Sequence, residues 1–173
     1  MGASVKESTI YEKETSGGAA SWLAVCNGNI MEDLFKYIRT QFNIGEVDII
    51  DYSPLTLAYI GDAVYEVVIR TMIVASGNAG VNKLHKRSSN LVKAPTQAAM
   101  ILAIMEHLSD QEVRLYKRGR NAKSYTIAKN ASMKEYHMAT GFETLMGYLY
   151  ITNQGDRMME LIKMGLEKVE NKI

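Results

Sequence analysis

Little in this sequence could hold a disulfide scaffold or a soft metal ion. Its 173 residues include one cysteine, Cys26, which excludes an intramolecular disulfide framework and any cysteine-rich zinc site and suits a reducing compartment. The three histidines, His85, His107 and His137, share no metal-ligand spacing, which leaves them structural or surface roles. Long apolar runs are missing too. The stretch 17–26 covers about ten residues, against the roughly 20 that span a bilayer. Glu7, Glu12 and Glu14 precede it, which is wrong for the basic start of a signal peptide. A soluble cytoplasmic protein with no membrane partner is expected. Nor does any segment keep a strict apolar–polar alternation long enough to mark a strand.

What is present is core material and an uneven charge. Hydrophobic residues make up 47% and charged residues 23%, enough apolar surface for a packed core and too much for wholesale disorder. The net charge of +1 conceals its distribution. Residues 1–76 carry 5 basic and 10 acidic side chains, residues 77–134 carry 11 and 3, and residues 135–173 carry 4 and 6. A positive middle third between acidic flanks is the footprint of a polyanion site. It is equally the pattern of a solvated lysine-rich helix face, and charge alone does not choose between them.

Along the chain, residues 1–30 are polar, rich in Gly, Ser and Ala, and without sustained period; they are read as a disordered or leader segment. Residues 31–173 are read as one all-helical domain. Met31, Leu34, Phe35 and Ile38 stand at helical spacing within 31–41. Ser53 ahead of Pro54 is a helix start, a capping hydroxyl followed by a proline whose fixed φ suits the first turn. The apolar stretch then runs to Ala75, where Gly77 and Asn78 stop it. The basic segment 80–93 is expected as a short helix and a turn. Pro95 opens a helix over 96–107, Ser109 caps another over 110–117, and Gly119 is expected to break it inside a basic loop, 117–123. Helices over 125–136, 137–152 and 157–171 complete the domain.

The 54–75 helix is apolar on nearly every side, and its only charges are Asp62, Glu66 and Arg70. Spaced four apart, they stack on one face. In so apolar a helix that stripe has to meet water, a cation or a partner. Glu66 and Arg70 account for each other as an i,i+4 pair. Asp62 is left over, and Gly61 beside it marks a close approach, since glycine inside a helix costs ~1 kcal/mol against alanine. The 137–152 helix repeats the arrangement. Glu143 is its one acid, set among Phe142, Leu145 and Met146, with Gly141 and Gly147 to either side. Two such helices crossing closely would aim Asp62 and Glu143 at one spot, where they repel unless a cation joins them. Oxygen ligands without a Cys–His cluster suit Mg²⁺, or Mn²⁺, over Zn²⁺.

These residues carry a resemblance. The run Leu57-Ala58-Tyr59-Ile60-Gly61-Asp62-Ala63-Val64-Tyr65-Glu66 resembles the ribonuclease III signature. The stretch Ala139-Thr140-Gly141-Phe142-Glu143-Thr144-Leu145-Met146-Gly147-Tyr148 is similar to that family's second acidic motif. With the basic 118–123 and 84–87 segments, the pattern from Ser53 onward is similar to Mini-ribonuclease III, the short form lacking a double-stranded-RNA-binding domain. Ala58 and Thr140 stand where the longer enzymes carry further carboxylates, a reduced set that the short form shares.

The resemblance implies an all-α endonuclease domain that forms a homodimer and cleaves double-stranded RNA with Mg²⁺, leaving 5′-phosphate and 3′-hydroxyl ends. Asp62 and Glu143 would be both catalytic and metal-binding. The expected substrate is the 23S ribosomal RNA precursor; DNA is not expected. A chain without a separate RNA-binding domain has to draw duplex affinity from its catalytic domain, so Arg118, Arg120 and Lys123 are expected to contact phosphates. Lys86 and Arg87, with Lys83 and Lys93, are the further candidates. A rival reading is a non-catalytic RNA-binding or ribosome-assembly module that keeps the fold; the missing carboxylates favour it, and retention of both Asp62 and Glu143 opposes it. A nucleotide phosphohydrolase is disfavoured because no His-Asp dipeptide occurs.

Overall fold

The computed structural model describes residues 30–45, 47–123 and 132–170. Its helices are α1 (Ile30–Gln41), α2 (Pro54–Ala75), α3 (Val81–Val92), α4 (Ala94–Ile104), α5 (Asp110–Arg120), α6 (Met133–Ile151) and α7 (Gly155–Glu170). Single 3₁₀ turns at Ile49–Asp51 and Met105–His107 join them. Among the described residues there is no strand, as the lack of alternation leads one to expect, and no helix long and apolar enough to cross a membrane. Residues 1–29 of the expected leader, Cys26 among them, and most of the helix expected over 125–136 lie outside the described residues.

Local chemistry sets the helix ends. The Ser53 Oγ accepts the Thr56 amide at 3.0 Å, and Pro54 opens α2. Ser109 and Glu112 form a reciprocal capping box at the start of α5. A second box, Ser132 with Glu135, starts α6 at Met133, which corrects the boundary expected at His137. Two further expectations change. The basic 80–93 segment is a continuous helix, α3, and Gly119 does not interrupt α5.

α6 is buried along most of its length from Met138 to Tyr150 and is accordingly central. It packs against α2, α4, α5 and α7, with α1 touching it through Phe35, whose ring meets Tyr150 edge-on at 5.6 Å. Tyr65 and Ile69 of α2, Met100 and Ile101 of α4, Phe142 and Met146 of α6, and Leu161 of α7 are fully buried. Burying each such side chain contributes roughly 1.5–3 kcal/mol. Met100 and Met146 thus serve as core, as their helical spacing suggests, and Met105 packs on the core's edge.

α2 is divided lengthwise. Leu57, Gly61, Val64, Ile69 and Ile73 face inward and are buried. Leu55, Tyr59, Ala63, Val67 and Thr71, spaced four apart, are exposed, Tyr59 at 83% and Val67 at 56%. Such an apolar stripe on a monomer's surface marks an interaction face.

Candidate active site

The α2–α6 crossing is made by two glycines. A Cβ on Gly61 would collide with the Glu143 carbonyl oxygen, and one on Gly147 would collide with the Leu57 carbonyl oxygen. At both points backbone meets backbone, with no room for a Cβ between them. Further along, the Thr144 hydroxyl lies 2.7 Å from the Thr140 carbonyl and 3.0 Å from that of Pro54, tying α6 to the first turn of α2. Below the crossing, Tyr65 meets Phe142 edge-on at 5.2 Å, and its hydroxyl donates to the Leu91 carbonyl at 3.1 Å. Thr140, with its own hydroxyl donated to Tyr136, is buried and locally satisfied. Ala58 is buried as well.

This crossing brings Asp62 and Glu143 together, as the paired glycines lead one to expect. Burial first, and then the negative charge of Asp62, push the Glu143 carboxyl up from 4.5 to about 7. Burial first, and then the charge of Glu66, raise Asp62 also. Glu66 is itself held by Arg70, Nη2 to Oε2 at 2.6 Å, the i,i+4 pair expected from spacing. Gln97 of α4 is the one group that acts in the opposite sense on both carboxyls, through its side-chain amide. Its Nε2 also donates to the Val92 carbonyl at 3.0 Å, while its buried Oε1 has no hydrogen-bond partner. Sequence reasoning passed over Gln97; its signal was a long polar side chain in an otherwise apolar helix, Ala94–Ile104.

Chemically, this is a half-buried oxygen-only site whose two carboxylates resist joint ionisation. Among the described residues no three His, Cys, Asp or Glu side chains converge. The donor set fits a hard divalent cation that keeps most of its waters, and fits neither zinc nor copper.

The basic candidates are split between helices. Arg118 is exposed on the last turn of α5 and, with Arg114, edges an open groove of about 480 Å³ floored by Leu57 and Leu115. Lys123 is exposed just beyond that helix, and Lys86 and Arg87 are exposed on α3, Arg87 reaching Ser76 at 3.4 Å. Arg120 is half-buried, its guanidinium 5.7 Å from the Tyr116 ring centre and bonded to Asn121 at 3.2 Å. It supports the helix end as much as it faces solvent. Gly119 is no hinge: it is buried in α5 because a Cβ there would strike the Thr144 side chain. Gly141 is likewise a packing glycine, seated on Tyr116. The expected basic loop is thus a rigid helix end as far as Arg120. The bidentate pair from Arg157 to Glu112, at 2.8 and 3.0 Å, was not foreseen; it fastens α7 to the α5 cap.

The chain resembles known proteins in both sequence and fold. Residues 55–154 match the Ribonuclease III domain family. A Mini-ribonuclease 3 from Clostridium tetani is 49% identical over 124 residues, 71% of this chain and 82% of that protein. The Mini-ribonuclease 3 of Enterococcus faecalis is 49% identical over 119 residues, 68% of this chain and 90% of that protein. The Streptococcus pneumoniae protein of the same name is 40% identical over 126 residues, 72% and 98% of the two chains. A crystal structure of a Fusobacterium nucleatum protein, 28% identical, superposes with a TM-score of 0.64 over 71% of this chain and 98% of that one.

Proposed function

The chain belongs to the ribonuclease III family, among its Mini-ribonuclease 3 members, and is an endoribonuclease of that type; from that premise we propose that it hydrolyses double-stranded RNA at a divalent-cation site held by Asp62 and Glu143. The observation that carries this reading is the meeting of the two carboxylates across a crossing that Gly61 and Gly147 alone permit. Mg²⁺ is the cation proposed, with Mn²⁺ as its substitute. When bound, such a cation lowers the pKa of a coordinated water and stabilises charge developing on the phosphodiester. Asp62 and Glu143 supply anionic oxygens fixed by helix backbone, so orientation precedes substrate binding. With only two protein carboxylates, Asp62 and Glu143 would leave a bound cation to water and phosphate oxygens for its other ligands, which would make cation and RNA binding mutually reinforcing. The products are RNA ends bearing 5′-phosphate and 3′-hydroxyl groups.

Duplex RNA is recognised by shape across its wide, shallow minor groove, and two sites on a symmetric dimer would address both strands. The exposed Leu55–Tyr59–Ala63–Val67 stripe supports a homodimer built on α2. Arg118 and Lys123, with Lys86 and Arg87 on α3, are the proposed phosphate contacts; Arg120 acts partly through the helix end that it supports. The cytoplasm is the proposed site of action and a 23S ribosomal RNA precursor the leading substrate. Incubating the purified protein with a 23S precursor stem, in Mg²⁺ and in EDTA, and sequencing the ends tests this. Discrete staggered cuts that vanish in EDTA are expected; an intact duplex in Mg²⁺ overturns it.

A further inference from the structure

Gln97 is 1% exposed, and its amide is fully enclosed. Its orientation is set from outside the site. α3 ends at Val92, whose carbonyl therefore lacks a helical partner and accepts the Gln97 Nε2 at 3.0 Å. Exchanging nitrogen and oxygen would set two carbonyl oxygens against each other. The amide lies close enough to Asp62 and Glu143 to act on both carboxyls, and the one hydrogen bond it forms among the described residues is to Val92. Oε1 is left without a partner. A buried acceptor of this kind is destabilising unless something donates to it, and no donor is supplied by the described residues. Beside two carboxylates suited to a hydrated cation, the donor it lacks is a water.

We propose that Gln97 is a positioning residue for the cation site, held by its Nε2 bond to Val92 so that its Oε1 accepts a hydrogen bond from a cation-bound water. This rests on the reading of Asp62 and Glu143 as the cation ligands. It explains how a site with two protein carboxylates stays ordered: the amide, fixed by Val92, supplies an acceptor to the hydration shell. Groups one step removed from a metal typically change its affinity by about 10–100-fold when removed.

The test is direct Mn²⁺ binding by electron paramagnetic resonance, without RNA, on the intact protein and on Asp62→Asn, Gln97→Met and Gln97→Glu variants. Gln97→Met keeps the volume and loses both polar atoms. It should weaken Mn²⁺ binding about 10-fold or more, and raise the Mg²⁺ needed for half-maximal cleavage by a similar factor, with the KM for duplex RNA little changed. Gln97→Glu adds a third carboxylate, so Mn²⁺ should raise its unfolding temperature by more than it raises the wild-type value. If Asp62→Asn abolishes Mn²⁺ binding while Gln97→Met binds within about twofold of wild type, the role assigned to Gln97 is wrong and the carboxylate reading stands. If Asp62→Asn binds Mn²⁺ as wild type does, both fall. Should Gln97→Met not fold, a Gln97→Glu variant that gains no extra stabilisation from Mn²⁺ overturns the inference by itself.

Discussion

Replacing Glu143 by glutamine should give a protein that is inactive and yet more stable in the absence of metal. In the fold the Glu143 carboxyl is pushed from 4.5 to about 7, by burial and then by Asp62. A carboxyl that binds its proton more tightly when folded adds stability that is fully present below 4.5 and is lost as pH rises through about 7. Each pKa unit corresponds to about 1.4 kcal/mol, so at pH 8 ionised Glu143 costs the metal-free fold about 3 kcal/mol. Asp62 shifts in the same direction, and its charge remains in the variant. Glutamine carries no charge and escapes the penalty. For a domain of this size 1 kcal/mol moves the midpoint by about 2–4 °C, so Glu143→Gln should melt roughly 6–12 °C above wild type at pH 8 in EDTA and close to it at pH 4.5. Saturating Mg²⁺ should stabilise wild type and leave the variant nearly unmoved. Thermal unfolding by circular dichroism, at both pH values and with and without Mg²⁺, reads all of this. A variant that melts below wild type by the same margin at both pH values would mean that Glu143 is a structural residue, and the site assignment would fail.

Other substitutions probe separate parts of the structure. Gly61→Ala places a methyl group against the Glu143 carbonyl, so it should cost about 3 kcal/mol or more in urea unfolding, since neither backbone can yield. Arg118→Ala and Lys123→Ala should each weaken duplex-RNA binding about equally across sequences and lower the salt slope by somewhat under one unit, measured in Ca²⁺ to suppress cutting; unchanged slopes would return these residues to plain solvated surface. Val67→Asp puts a charge in the middle of the exposed α2 stripe and should convert a species of about twice 19.3 kDa into a monomer by sedimentation; a wild-type monomer at micromolar concentration would rule out that interface.

α2 could be read from its ends: Ser53 and Pro54 begin it and the Gly77 region follows its stop, because capping and proline geometry are local. The meeting of Asp62 with Glu143 was legible for a related reason, since a glycine inside an apolar helix signals a neighbour too close for a Cβ. The same residue type misled at Gly119. There propensity suggests a break, while contact with Thr144 on another helix decides the outcome, and only tertiary packing distinguishes the two uses. Ser132 was missed as the start of α6 because Tyr136 and His137 continue the periodic pattern across the box. Gln97 was invisible for want of a local cause: what orients it is a carbonyl freed by the end of α3, and the carboxyls it acts on lie on α2 and α6.

The most direct measurement is cleavage of a defined RNA duplex in saturating Mg²⁺ by wild type and by Asp62→Asn, with end-group analysis of the products and with duplex binding and unfolding temperature recorded for both. Wild type should yield 5′-phosphate and 3′-hydroxyl ends on both strands, and Asp62→Asn should bind the duplex, stay folded and leave it uncut. An Asp62→Asn protein that cuts at close to the wild-type rate would contradict the assignment of the active site.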